Sequence, residues 1–245
     1  MKILTIVGAR PQFIKAYPVS KAISENKDIE EVLLHTGQHY DFNMSKIFFS
    51  QLSLKEPDYN LGVGSGTHGK QTGEMLKGIE DVIKKESPDL ILIYGDTNST
   101  LAGALSGAKC QIPVAHVEAG LRSYNIRMPE EINRILADRI SSYLFCPTET
   151  AVNNLIKEGF NNFNYEGFIF KKPKVINSGD VMYDAFLLCK EVLNPTLGIK
   201  KIAEDHDKFY LATIHRAENT DSKNNLKNII DALEEISKDT PVILP

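Results

Sequence analysis

Short apolar runs rich in Ile, Val and Leu alternate along this chain with longer segments of helical period. A strand with one wet face would alternate polar and apolar residues, so continuous apolar runs predict parallel strands covered on both sides by helices. The strands are predicted at Lys2 to Val7, Glu31 to His35, Leu90 to Tyr94, Pro113 to Val117, Tyr143 to Cys146 and Lys174 to Asn177. Helices are predicted between them, at Pro11 to Ser24, His68 to Lys85, Ser99 to Lys109, Glu130 to Ile140 and Thr148 to Glu158. Pro11 suits a first helical turn, where its missing N–H is not needed, and Gly159 supplies a C-terminal stop. The pattern is that of an α/β doubly wound domain.

The stretch 161–167, rich in amides and aromatics, breaks this pattern. A helix from Val181 to Leu193, breakers at Pro195 and Gly198, a strand at Phe209 to Ile214, a helix at Lys223 to Ser237 and an apolar run at Pro241 to Leu244 then begin a second α/β unit. The expected division is 1–178 and 179–245. The second part has too few strands for a sheet of ordinary size, so it is expected to be incomplete within these residues.

Composition adds bounds. With 42% hydrophobic and 24% charged residues, 245 residues can bury a sizeable core. A formal net charge of -4 gives no overall reason to bind nucleic acid or an anionic membrane, so any phosphate site must be local. No window approaches the roughly 20 apolar residues of a membrane span, and the first apolar run is too short for a signal peptide, so a cytoplasmic location is expected. Cys110, Cys146 and Cys189 lie far apart with no paired metal spacing and read as reduced core residues.

Ligands of open parallel sheets bind beyond the carboxyl ends of the strands, so the polar residues following each strand carry the candidate chemistry. Gly8-Ala9-Arg10-Pro11-Gln12 offers backbone donors and a cation, with Lys15 one turn further on. Asp96 follows the third strand, and Glu118 follows the fourth in His116-Val117-Glu118-Ala119-Gly120-Leu121-Arg122. Pro129-Glu130-Glu131 begins a helix, where acidic residues also suit the macrodipole. His215 and Arg216 follow a strand of the second unit. Each could serve as an ordinary turn or cap, but Arg10, Asp96, Glu118 and His215 all fall at strand ends. Gly64 to Gln71 imitates a phosphate loop, yet Gln71 stands where Ser or Thr would bind magnesium, and the first strand lacks a GxGxxG sequence.

These strings, together with Thr36-Gly37-Gln38-His39, Gly95-Asp96-Thr97, Ile132-Asn133-Arg134 and Ala217-Glu218-Asn219, resemble in order the non-hydrolysing UDP-N-acetylglucosamine 2-epimerases. The resemblance implies a GT-B-like fold of two Rossmann-like doubly wound domains, a UDP-sugar substrate held between them, and a homodimer. By the same likeness, Asp96, Glu118 and Glu130 match acid/base carboxylates, and His215 is grouped with them at the reacting centre. Arg10, Lys15, Glu131, Arg122, Arg216 and Asn219 match substrate-binding positions; Gln38, His39 and Lys70 are candidate contacts of a regulatory ligand. The family's Ser-Gly-Gly-x-Gln-Glu-Glu string does not occur before Pro245. Ser123-Tyr124-Asn125-Ile126-Arg127-Met128-Pro129 is closer to relatives that act on UDP-2,3-diacetamido-2,3-dideoxy-glucuronate.

The implied activity interconverts UDP-N-acetylglucosamine and UDP-N-acetylmannosamine, for surface-polysaccharide precursors. The C2 proton of such a sugar has no neighbouring carbonyl, so the expected route expels UDP first and needs neither metal nor redox cofactor. A sugar-nucleotide-binding fragment without activity and a GT-B glycosyltransferase are the competing readings.

Overall fold

The computed structural model describes residues 1–38, 55–160, 173–192, 201–202, 204–215 and 217–244. Two compact units emerge, Met1–Val192 and Leu193–Pro245. In the first, β1 (Lys2–Val7), α1 (Arg10–Ser24), β2 (Glu30–His35), β3 (Tyr59–Asn60), α2 (His68–Glu86), β4 (Leu90–Tyr94), α3 (Asn98–Lys109), β5 (Val114–Val117), α4 (Pro129–Ile140), β6 (Tyr143–Cys146), α5 (Glu149–Lys157), β7 (Lys174–Asn177) and α6 (Val181–Val192) follow one another. The strands form one seven-stranded sheet in the order β3-β2-β1-β4-β5-β6-β7, paired in parallel throughout. The order reverses between β1 and β4, which places the expected crevice over those two strand ends.

Side-chain alternation sorts the core into two layers. Leu4, Ile6, Leu34, Ile91 and Ile93 meet Met75, Ile79 and Val82 of α2 and Ala102 of α3 on one face. Ile3, Val7, Leu33, Leu92 and Tyr94 meet Phe13, Ala16 and Ile23 of α1 on the other. Burial of each large aliphatic side chain stabilises by about 1.5–3 kcal/mol. Cys146 lies in a third cluster with Leu144, Leu155 and Phe160, where burial pushes its thiol up to about 12, so it stays protonated and inert at neutral pH.

Predicted and observed elements agree within a residue or two, apart from five points. The two-residue β3 and the four-residue helix Ala217–Thr220 have too little sequence for periodicity to register. Helix α6, expected to open the second unit, packs against α1 and belongs to the first, whose boundary falls at Val192 rather than residue 178. The strand expected over Phe209 to Ile214 pairs only at Tyr210–Leu211. The excursion at 161–167 lies outside the described residues. In the second unit, β8 (Tyr210–Leu211), α7 (Ala217–Thr220), α8 (Lys223–Ser237) and β9 (Val242–Ile243) make a βαβ arrangement in which β8 and β9 pair in parallel. Among the described residues, no helix is long and apolar enough to cross a membrane.

Candidate functional site

The turn after β1 is fixed by Gln12, which is 1% exposed. Its Oε1 accepts from the N–H groups of Gly8 (2.8 Å) and Ala9 (3.0 Å), and its Nε2 donates to the Tyr94 carbonyl (2.8 Å) and Thr100 Oγ1 (3.0 Å). The ends of β1 and β4 are thereby tied across the switch point. This corrects the expectation that the turn presents its backbone donors to an anion, since two of them are already spent on Gln12. Arg10 remains exposed at the start of α1.

Lys15, one turn deeper, ion-pairs with Glu118, whose side chain is partly exposed. The pair lies beside Gly95, where an added Cβ would stand 3.2 Å from Lys15 Nζ and 3.9 Å from Glu118 Oε2. Glu118 adopts φ 72°, a left-handed conformation uncommon for a non-glycine residue. Its N–H and that of Ala119 both donate to the Phe145 carbonyl at 3.0 Å, which holds the turn. Strain retained in such a place accords with a functional constraint on where the carboxylate points.

Asp96 is the next residue along. Arg134 Nη2 donates to Asp96 Oδ2 and Arg134 Nη1 to Glu131 Oε2, each at 2.6 Å. Asn133 Nδ2 donates to the Asp96 carbonyl at 2.9 Å. Asp96, Glu118 and Lys15 therefore gather at the ends of β4 and β5 with Arg134 at their side. Glu130 is exposed in the first turn of α4, whose Arg134 reaches Asp96.

Two expected substrate contacts have other work. Glu131, 1% exposed, accepts from the backbone of Ser123 and Tyr124 at 2.8–3.0 Å and so clasps the loop after β5. Burial raises its carboxyl, but these donors and Arg134 outweigh burial and hold it below the ordinary carboxylate value. Arg122, 1% exposed at its side chain, donates to Asp138 Oδ2 (2.7 Å) and to both Glu158 oxygens (2.7 and 2.8 Å). Burial lowers the guanidinium, yet the two carboxylates more than compensate and its pKa is raised. In this structure neither side chain faces outward to a ligand, because each is needed to neutralise buried partners.

Gln38 accepts from Ser99 N (3.1 Å) and Ser99 Oγ (2.7 Å) at the start of α3, while Lys70 is exposed on α2. His39 and Arg216 lie outside the described residues. In the second unit, His215 is exposed and its carbonyl accepts from Asn219 Nδ2 at 3.3 Å. Gln71 is tied to Gly64 O (2.7 Å) and accepts from Asn98 (2.8 Å), so the phosphate-loop imitation is closed by its own glutamine.

Sequence reasoning assigned no role to Gln12, His116, Asn133, Arg134, Asp138 or Glu158. The available signal was in α4: Glu131, Arg134 and Asp138 at i, i+3 and i+7 share one face. That charged face is turned inward, while Ile132 and Leu136 are 41% and 45% exposed. Among the described residues, no group of three or more His, Cys, Asp or Glu could hold a metal ion.

A sequence-family profile described as UDP-N-acetylglucosamine 2-epimerase matches residues 21–245. The UDP-2,3-diacetamido-2,3-dideoxy-D-glucuronate 2-epimerase of Pseudomonas aeruginosa is 55% identical over 246 residues, covering all of this chain and 66% of its own length. The UDP-N-acetylglucosamine 2-epimerase of Methanocaldococcus jannaschii is 47% identical over 239 residues, 96% of this chain and 62% of its own. A crystal structure of the M. jannaschii enzyme with UDP-N-acetylglucosamine and UDP superposes with a TM-score of 0.85 at 46% identity, over all of this chain and 65% of that one. The chain thus spans about two thirds of the length of these relatives. The α/β, GT-B-like class expected from the sequence is the class of these neighbours.

Proposed function

Since the chain belongs to the UDP-N-acetylglucosamine 2-epimerase family, we propose that the protein inverts C2 of a UDP-sugar, interconverting UDP-N-acetylglucosamine and UDP-N-acetylmannosamine. The observation that carries this reading is the gathering of Asp96 and Glu118, with the Lys15 and Arg134 cations against them, at the β4 and β5 ends beside the switch point. Two carboxylates beside one crevice are what a reaction that removes and returns a proton requires.

In the proposed route the C1–O bond breaks, UDP leaves with the electron pair, and a carboxylate takes the C2 proton to leave a glycal. Re-addition reverses both changes: a proton is delivered to the opposite face of C2 while a UDP oxygen attacks C1. Atoms and charge balance without a redox cofactor or metal. Arg10 and, from the second unit, His215 are the groups proposed for the departing diphosphate. The protein would act in the cytoplasm as a homodimer.

A second substrate is favoured by two observations. The string Ser123 to Pro129 and the 55% identity to the P. aeruginosa enzyme support UDP-2,3-diacetamido-2,3-dideoxy-glucuronate, with Arg127, exposed in that loop, facing the sugar carboxylate.

Both readings are tested by incubating the protein at its full native length with each UDP-sugar in deuterated water. Formation of the 2-epimer with deuterium at C2 is expected, and the sugar turned over faster identifies the substrate. An epimer that keeps its original C2 hydrogen would rule out a solvent-exchanging proton route, and no epimer from either sugar would remove the assignment.

A further inference from the structure

Beneath the candidate acid/base groups runs a buried polar chain to which the proposed chemistry gives no part. His116 in β5 is fully buried; its Nδ1 is 2.7 Å from Asp138 Oδ1 and its Nε2 2.7 Å from the Gly95 carbonyl oxygen. A carbonyl only accepts, so Nε2 carries a hydrogen and donates it. Asp138 Oδ2 accepts from Gly120 N–H (3.1 Å) and Arg122 Nη1 (2.7 Å), and Arg122 is itself clamped by Glu158. The ring cannot swing without stranding several buried polar groups, at about 1–3 kcal/mol each.

The far end of this chain matters for the site. Strand pairing stops at Tyr94, and Gly95 turns left-handed at φ 63°. Its N–H still reaches the Val117 carbonyl (3.0 Å), but its own carbonyl points to His116. A glycine peptide is free to rotate unless something holds it. Here the two carbonyls flanking the Asp96 N–Cα–C unit are both held by side chains, Gly95 by His116 and Asp96 by Asn133.

Resting on the epimerase reading, the geometry points to His116 as a positioning residue for Asp96: its Nε2–H pins the Gly95 carbonyl, and Asp138 pins the ring. The same aspartate holds Gly120 and Arg122, so the turns that carry Asp96 and Glu118 share one buried anchor.

Two variants separate the halves of the device in the full-length protein. His116→Gln keeps a donor where Nε2 stood, towards Gly95, whereas His116→Asn keeps one where Nδ1 stood, towards Asp138. Both lose one buried bond, so similar drops in Tm are expected. The kcat of His116→Asn should fall by about 10²-fold, as for a reacting group displaced by about an ångström, with KM little changed. His116→Gln should retain most of kcat.

Leu144→Ala, a buried apolar truncation in neighbouring β6, calibrates plain destabilisation. The proposal is overturned if His116→Asn turns over as fast as His116→Gln, or if kcat per folded molecule merely tracks Tm along with Leu144→Ala. If neither histidine variant folds, histidine-selective ¹⁵N NMR of the wild-type protein decides. A slowly exchanging Nε2–H that shifts when UDP-N-acetylglucosamine is added supports the device, and an Nε2 without hydrogen, or a signal unmoved at saturation, removes it. A wild-type protein that makes no 2-epimer would sink the epimerase reading instead, while the Nε2–H signal would still report on the Gly95 contact.

Discussion

Arg134 grips Asp96 at 2.6 Å from the facing helix, and its other nitrogen holds Glu131 at the same distance. Glu131 in turn clasps the backbone at Ser123 and Tyr124. One guanidinium therefore joins the β4 turn, the loop after β5 and the start of α4. A planar fork can serve two carboxylates at once, which a lysine ammonium does less well.

Asp96→Asn should leave this scaffold standing, because the amide oxygen still accepts from Arg134. Epimerisation in the full-length protein should drop by about 10² to 10⁴-fold, the range for losing an acid/base group, with Tm unchanged. Turnover close to wild type would take Asp96 out of the chemistry.

Asp138→Ala has the opposite signature. It removes the fully buried carboxylate that faces both His116 and Arg122, and breaking a buried pair from one side costs about 3–5 kcal/mol. Urea unfolding should show a loss of stability of that size, read as a lowered midpoint at an unchanged slope. A cost below about 1 kcal/mol, as at surface pairs, would mean that solvent reaches the pair.

What was legible in the sequence follows from range. Strand and helix placement rests on periodicity within a few turns, so β1, β4 and α2 were visible, and strand ends pointed to Asp96 and Glu118. Burial of charge is not visible in that way. Arg122 reads as a cation in a loop, and only Asp138 and Glu158, 16 and 36 residues away, make it an interior group. The same holds for α4, where expecting apolar residues inside misassigns a helix that buries Glu131 and Asp138 and exposes Ile132 and Leu136.

Glu131 sets an acid limit. Its carboxyl is held below the ordinary value of 4.5 in the fold, so it binds fewer protons folded than unfolded. Its contribution is complete above that value and fades as the pH falls through the lowered one. The stability gap between wild type and Glu131→Gln should therefore be widest at pH 6 and shrink below pH about 4, in the region where carboxylates protonate. A gap independent of pH would show that charge at Glu131 is immaterial.

The tightest packing constraint at the mouth is at Gly8. A Cβ built there would lie 2.0 Å from Ser99 Oγ, 2.1 Å from Thr36 Oγ1 and 2.9 Å from Ser99 Cβ. The two hydroxyls are bonded to each other at 2.8 Å, and Ser99 is further tied to Gln38, so neither can step aside without breaking a buried contact. Gly8→Ala must then push the β1 turn away from α3 and loosen the Gln12 bridge to Tyr94. Overpacking of this kind costs about 1–3 kcal/mol, and displacement of the turn that carries Arg10 should weaken UDP-sugar binding as well. Thermal unfolding and substrate titration of the full-length variant read the two effects separately. Adding Ser99→Ala removes the closest atom but leaves Thr36 Oγ1 at 2.1 Å and Ser99 Cβ at 2.9 Å, so only partial recovery of Tm is expected in the double variant. Full stability in Gly8→Ala alone would mean that the turn has slack which the close approach of Ser99 and Thr36 denies.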